Sequence, residues 1–232
     1  MNQLLRFSLA LWVGIVSHAA QAAAALPDAY GSLNFNLSQT VYTFPAGATY
    51  GCGAVSITAL PAPSVSATGT NCSSVPQAIF IYYFSVMGPA NVVVPVSIRA
   101  AGNLTADGAA QAAYSLSIAN ETLVNASCYF ASLQSCGPKQ FSFSRSFTAN
   151  QIYGVSMMAA ESNFLGSGSG TAFLDPYFAI DPAFLNAADY AIVLSAGVGN
   201  SASLVPEPSI LAMWVLGICL LALKPHRKAR AA

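Results

Sequence analysis

Few residues in this chain can do acid–base or ligand chemistry, and their positions limit what that chemistry is. The only histidines are His18 and His226, both near the ends of the chain. A Ser–His–Asp or Cys–His nucleophile in the central segment therefore lacks its general base. Histidine-ligated zinc and copper lack their ligands for the same reason. Carboxylates remain, and glycoside hydrolysis needs two of them facing each other at about 5–10 Å. Asp175, Asp181 and Asp189 are the densest group of acids. Asp175 and Asp181 share parity on an extended strand, but six residues of strand hold them about 20 Å apart. That is too far for one catalytic pair or one calcium ion. Asp175 and Asp181 each precede a proline, and both read as residues that cap or bend a strand end. No catalytic residue, metal site or cofactor is expected.

Four other features invite a functional reading. Gly166-Ser-Gly-Ser-Gly170 has the composition of a phosphate loop. It leads into a strand rather than a helix, so the positive helix terminus that holds phosphate is missing, and it reads as a loop. Tyr82, Tyr83, Tyr129 and Tyr177 lie on or beside strands and are candidate sugar platforms, although such spacing also suits core and sheet-face packing. Arg145 falls at a core-facing position among Phe141, Phe143 and Phe147. There it needs a carboxylate partner or an edge location. Asn-x-Ser/Thr triplets starting at Asn36, Asn71, Asn103, Asn120 and Asn125 follow from a composition rich in these residues.

Four cysteines occupy the central segment: Cys52, Cys72, Cys128 and Cys136. In a chain that reaches an oxidising compartment, an even number argues for disulfides, with three possible connectivities. Local closure favours Cys52–Cys72 and Cys128–Cys136. CxxC spacing is absent, which argues against zinc. The fifth cysteine, Cys219, lies in the apolar C-terminal run.

The elements that must position these residues are strands. Leu33, Phe35 and Leu37 alternate with Asn34, Asn36 and Ser38, and Tyr114, Leu116 and Ile118 alternate with serines. The phenylalanines between 141 and 147 do the same. Each pattern has period two, the mark of a half-buried strand. Ala78–Met87 and Val92–Ile98 read as more fully buried strands, with Pro95 marking a bulge or an edge. Further strands are expected over 41–44, 54–59, 152–159, 171–180 and 190–195. Met87-Gly-Pro89, Asp107-Gly108 and Gly166–Gly170 read as the turns between them. About ten short strands over residues 25–204 predict an all-β fold, an antiparallel sandwich of jelly-roll-like type. An outer-membrane barrel also shows period two, but its strands run to about ten residues, longer than most of these.

Composition narrows the function classes. Of 232 residues, 55% are hydrophobic and only 7% charged, and eight Lys/Arg balance eight Asp/Glu. Between residues 23 and 205, seven acids face three bases, a net charge of −4. A nucleic-acid partner requires a basic face and is not expected. A disordered polar tail is equally at odds with so much apolar surface.

Both ends carry addresses. Arg6, an apolar run from Phe7 to Val16 and the small residues around Ala20-Gln21-Ala22 form the three regions of a signal peptide, expected over 1–24. At the other end, Val205-Pro206-Glu207-Pro208-Ser209 leads into the uncharged run Ile210–Leu223. Lys224, His226, Arg227, Lys228 and Arg230 follow. The apolar run is near the lower limit for a membrane-spanning helix, and the basic cluster places the C-terminus in the cytoplasm.

This order of VPEPS, short apolar helix and terminal basic cluster over 205–232 resembles the PEP-CTERM sorting signal of exported bacterial proteins. The resemblance implies recognition at Pro206, Glu207 and Pro208 by an exosortase-type transpeptidase. It also implies a basic hook at Lys224, Arg227, Lys228 and Arg230, here more interrupted than the usual arginine run. Ile81–Ala90, Asp175–Pro182 and Ser195–Asn200 resemble segments of secreted proteins bearing this tail, which brings no assigned activity. The expected partners are signal peptidase with the export machinery, the transpeptidase, and the membrane through the C-terminal helix. The expected course is an inner-membrane-anchored precursor, then the cell surface or extracellular matrix. The function expected is non-enzymatic; the alternative is a module binding extracellular polysaccharide.

Overall fold

The computed structural model of the protein describes residues 25–35, 38–42, 46–50, 52–71, 75–129 and 136–201. The expected signal peptide, the expected sorting signal and Cys72 lie outside them. The described residues form eleven strands: β1 (Tyr30–Phe35), β2 (Ser38–Tyr42), β3 (Ala46–Tyr50), β4 (Gly53–Thr58), β5 (Ser64–Thr70), β6 (Gln77–Met87), β7 (Val93–Ile118), β8 (Glu121–Tyr129), β9 (Gly137–Thr148), β10 (Ile152–Ile180) and β11 (Ala191–Leu194). Every pairing is antiparallel. The all-β antiparallel expectation therefore holds.

Two strands are far longer than the period-two segments suggest. β7 has 26 residues and β10 has 29, and they pair with each other along almost their whole length. Asp107-Gly108 and Gly166–Gly170 are not chain reversals. They lie where the two strands bend together, with Gly108 opposite Gly168 and a register shift between Asn163 and Gly168. Both glycines have positive φ, 63° and 120°, which other residues rarely adopt. A Cβ on Gly108 would sit 2.8 Å from the Gly168 Cα. The glycines thus bend a sheet instead of ending its strands, as bulges at sheet corners do.

The bend makes two half-sheets from one. The first runs β2–β1–β6–β10–β7–β8 and uses residues 152–163 of β10 and 110–118 of β7. β11 extends along the same edge of β6 as β1. The second runs β3–β4–β5–β10–β7–β9 and uses the other halves of the long strands. The halves fold face to face over one core. Phe84 of β6 packs its ring 5.0 Å from Phe147 of β9 and 5.1 Å from Phe178 of β10, both across the interface. Inward residues alternate with outward ones throughout, as in Ala78, Phe80, Tyr82 and Phe84 of β6, all fully buried.

Pro95 and Pro176 each lie beyond the end of one of their two ladders and inside the other. Pro95 lies near the start of β7, beyond the last β10 partner Ile180, and its carbonyl accepts from Asp181 N at 3.0 Å. Pro176 lies just past the end of the β5–β10 ladder at Leu174. The open edge beyond it is taken by the Asn200 amide, which accepts from Phe178 N at 3.0 Å and donates to Phe178 O at 2.8 Å. A missing N–H is harmless at such positions.

Candidate functional site

The bend concentrates polar groups, Glu161 and Asn163 buried and Asn71 exposed. Asn163 Nδ2 donates to Gly168 O at 3.0 Å, and its Oδ1 accepts from Ser167 N at 3.1 Å. Asn71 Oδ1 accepts from Gly168 N at 3.0 Å, while Asn71 N donates to Gly168 O at 2.7 Å. Two residues before Asn163, Glu161 is 0% exposed, and neither carboxyl oxygen has a hydrogen-bond partner. Its side chain fills the space that Gly69 and Gly170 leave open. A Cβ on Gly170 would meet Glu161 Cγ at 2.6 Å, and one on Gly69 would meet the carboxylate itself. Burial pushes the Glu161 carboxyl up to about 7, because an isolated charge is poorly solvated there. With no exposed atom, it presents nothing to a substrate.

Burial also pushes Asp175 up to about 6. Asp175 lies on the outward face of β10, whereas Glu161 points into the core. The two do not converge as the acid pair of a glycoside hydrolase must. Asp181 does cap a turn, its Oδ1 accepting from Ala183 N at 2.9 Å. Asp175 does not cap or bend a strand end, contrary to expectation. It sits mid-strand, because β10 continues in its pairing with β7 to Ile180. Asp189 is exposed in the short 3-10 turn Ala187–Asp189. Among the described residues no three His, Cys, Asp or Glu side chains could hold a metal ion.

The four candidate tyrosine platforms separate. Tyr82 is fully buried between the halves, and burial, followed by the charge of Asp175, raises its hydroxyl well above the ordinary value. It is core. Tyr129 is exposed at the end of β8, and Tyr177 lies on the outer face of β10 opposite Arg99. Tyr83, on the outer face of β6, lies beside a groove of about 490 Å³. Gly154 is its cross-strand partner and forms part of the lining. Ile81, Ile152, Tyr153, Ser117, Ser156 and Asn120 are among the other lining residues, and no charged side chain contributes. Such a volume is within the range of small-molecule sites.

Cys128 and Cys136 are disulfide-bonded, as local closure suggested, with Cα atoms 5.1 Å apart. The bond joins β8, the edge of the first half, to the start of β9, the edge of the second. Cys52 is exposed and has no disulfide partner among the described residues, Cys72 lying outside them. Arg145 meets both conditions that its position set. It lies on edge strand β9, and its Nη2 donates to Glu121 Oε1 at 2.9 Å.

No protein-family model, curated protein or solved structure matches this chain.

Sequence reasoning missed the groove. Gly154 stands inside Ile152–Ala159, read correctly as a strand, and an isolated glycine there was the available signal. Ser195–Asn200 proves to be a fastening. Ser195 Oγ accepts from Tyr83 N at 2.9 Å and donates to Pro27 O at 2.7 Å, and Gly199 N donates to Ala59 O at 2.7 Å.

Proposed function

We propose that this is an exported, non-enzymatic protein of the cell surface or extracellular matrix, an antiparallel sandwich sorted through a PEP-CTERM-type tail. The observation that carries the reading is the order of Val205–Ser209, the apolar run 210–223 and the basic cluster 224–230. The N-terminal charge, apolar core and small-residue exit support the same route. The Cys128–Cys136 bond is of a kind that persists in oxidising compartments. Signal peptidase removes residues 1–24, the apolar run holds the precursor in the inner membrane, and an exosortase-type transpeptidase acts at Pro206–Pro208. Replacing Pro206 and Pro208 together by alanine tests this. The double variant is expected to accumulate as a longer membrane-bound form. Equal mass and equal membrane retention in variant and wild type would reduce the tail to a permanent anchor.

A second reading is favoured by the uncharged groove beside Tyr83: a module that holds extracellular polysaccharide. Saturable binding on a glycan array supports it, and the absence of any signal removes it.

A further inference from the structure

We propose that the groove floored by Gly154 is a binding site for a neutral polysaccharide segment, with the Tyr83 ring as the surface on which a pyranose ring stacks. This rests on the second reading above and gives it a location. The glycine carries the argument. Gly69, Gly102 and Gly170 lie in strands because a Glu161 or Tyr114 side chain fills the place of their Cβ. Gly154 differs, because what lies beside it is the ring of its cross-strand partner Tyr83. Its φ is not in the left-handed region, and a Cβ there would meet only the Tyr83 ring, at 3.6 Å, an ordinary contact. A glycine inside a paired strand destabilises it relative to alanine, and here it lets the Tyr83 ring lie flat against the sheet, as a stacking surface requires.

What approaches is defined by the lining. Tyr83 offers a half-buried aromatic ring that lies against Gly154. Ile81 and Ile152 are apolar, and Ser117, Ser156 and Asn120 supply hydroxyls and an amide. Asn120 stands exposed on the β7–β8 turn at φ 68°. A sugar ring has the matching character, with an apolar C–H face for the ring and hydroxyls for the polar rim. No lining side chain is charged, so nothing compensates a uronate, sulfate or phosphate whose hydration is lost on entry. The acidic excess of the described chain disfavours polyanions further.

The test uses the full chain in detergent, with affinity electrophoresis in gels carrying a soluble β-glucan, an α-glucan, a galactomannan or anionic alginate. Wild type is expected to be retarded by at least one neutral polymer and not by alginate. Gly154→Val fills the groove, and Tyr83→Ala removes the platform. Each is expected to weaken binding on the order of tenfold, the effect of losing one aromatic stacking contact. Tyr83→Phe keeps the platform and is expected to retain most of the binding. Gly154→Val is also expected to melt no lower than wild type, because the strand gains a β-branched residue. Binding that falls while stability holds is not what a purely structural glycine gives. If a neutral polymer binds wild type and Gly154→Val equally, the groove is not the site, although polysaccharide binding survives. Retardation by alginate alone also overturns the groove. If no polymer binds wild type, the groove and the polysaccharide reading fail together.

Discussion

Arg145 of β9 donates to Glu121 of β8 at 2.9 Å across the seam where the two half-sheets meet edge to edge. Cys128–Cys136 closes the other end of the same seam. Both edge strands hydrogen-bond to β7 and not to each other, so side chains hold the fold shut on this side. Open edges invite pairing with other chains.

The two clasps differ in strength. The disulfide closes a short loop, and restricting the unfolded chain accounts for about 2.5 kcal/mol. The ion pair has side chains 41% and 60% exposed, and such pairs contribute about 1 kcal/mol or less. Cys128→Ser with Cys136→Ser is expected to lower the denaturation midpoint clearly, and Glu121→Gln only slightly. Equal losses in urea titrations would show that the ion pair matters more than its exposure implies.

Glu161 makes stability depend on pH. Its carboxyl titrates at about 7 in the fold against 4.5 ordinarily, so folding favours the protonated form. The stabilising protonation is complete below about 4.5 and is lost as pH rises through about 7. The penalty above that range is at most about 3–4 kcal/mol. Asp175, raised to about 6, adds a trend of the same sign at lower pH. Glu161→Gln is expected to flatten the fall between pH 5 and pH 8. An unchanged slope in that variant would show that Glu161 is not the titrating group.

Gly170 and Glu161 should be energetically coupled. Gly170→Ala forces a Cβ against Glu161 Cγ, and overpacking of this kind costs about 1–3 kcal/mol. Trimming the acid in Gly170→Ala/Glu161→Ala is expected to restore most of the loss. A double-mutant cycle reads the coupling directly. Additive effects would mean that the carboxylate moves aside freely.

The same residues show how far the sequence could be read. Arg145 interrupts an alternation of phenylalanines, and both of its alternatives, an acid partner and an edge, proved true together. The glycines at 108 and 166–170 misled, because positive φ serves a reversal and a shared bend equally. Only the pairing partner, far away in sequence, distinguishes them. β5 escaped notice because its inward residues are Val65, Ala67 and Gly69, too small to show a hydrophobic period. They are small partly because Glu161 lies against Gly69. β8 was missed because a register shift at Leu116/Ser117 breaks its alternation against β7. Burial of Glu161 depends on glycines in two other stretches of strand, and nothing adjacent to it signals that.

The central claim is export followed by removal of the tail, and intact mass tests it most directly. Both tryptophans, Trp12 and Trp214, lie in the segments expected to be lost. Protein recovered from outside intact producing cells is therefore predicted to begin near residue 25 and end near Pro206–Pro208. It should contain the Cys128–Cys136 bond and emit with tyrosine character only. An extracellular protein whose mass still includes residues 210–232, with tryptophan emission, would contradict the sorting account.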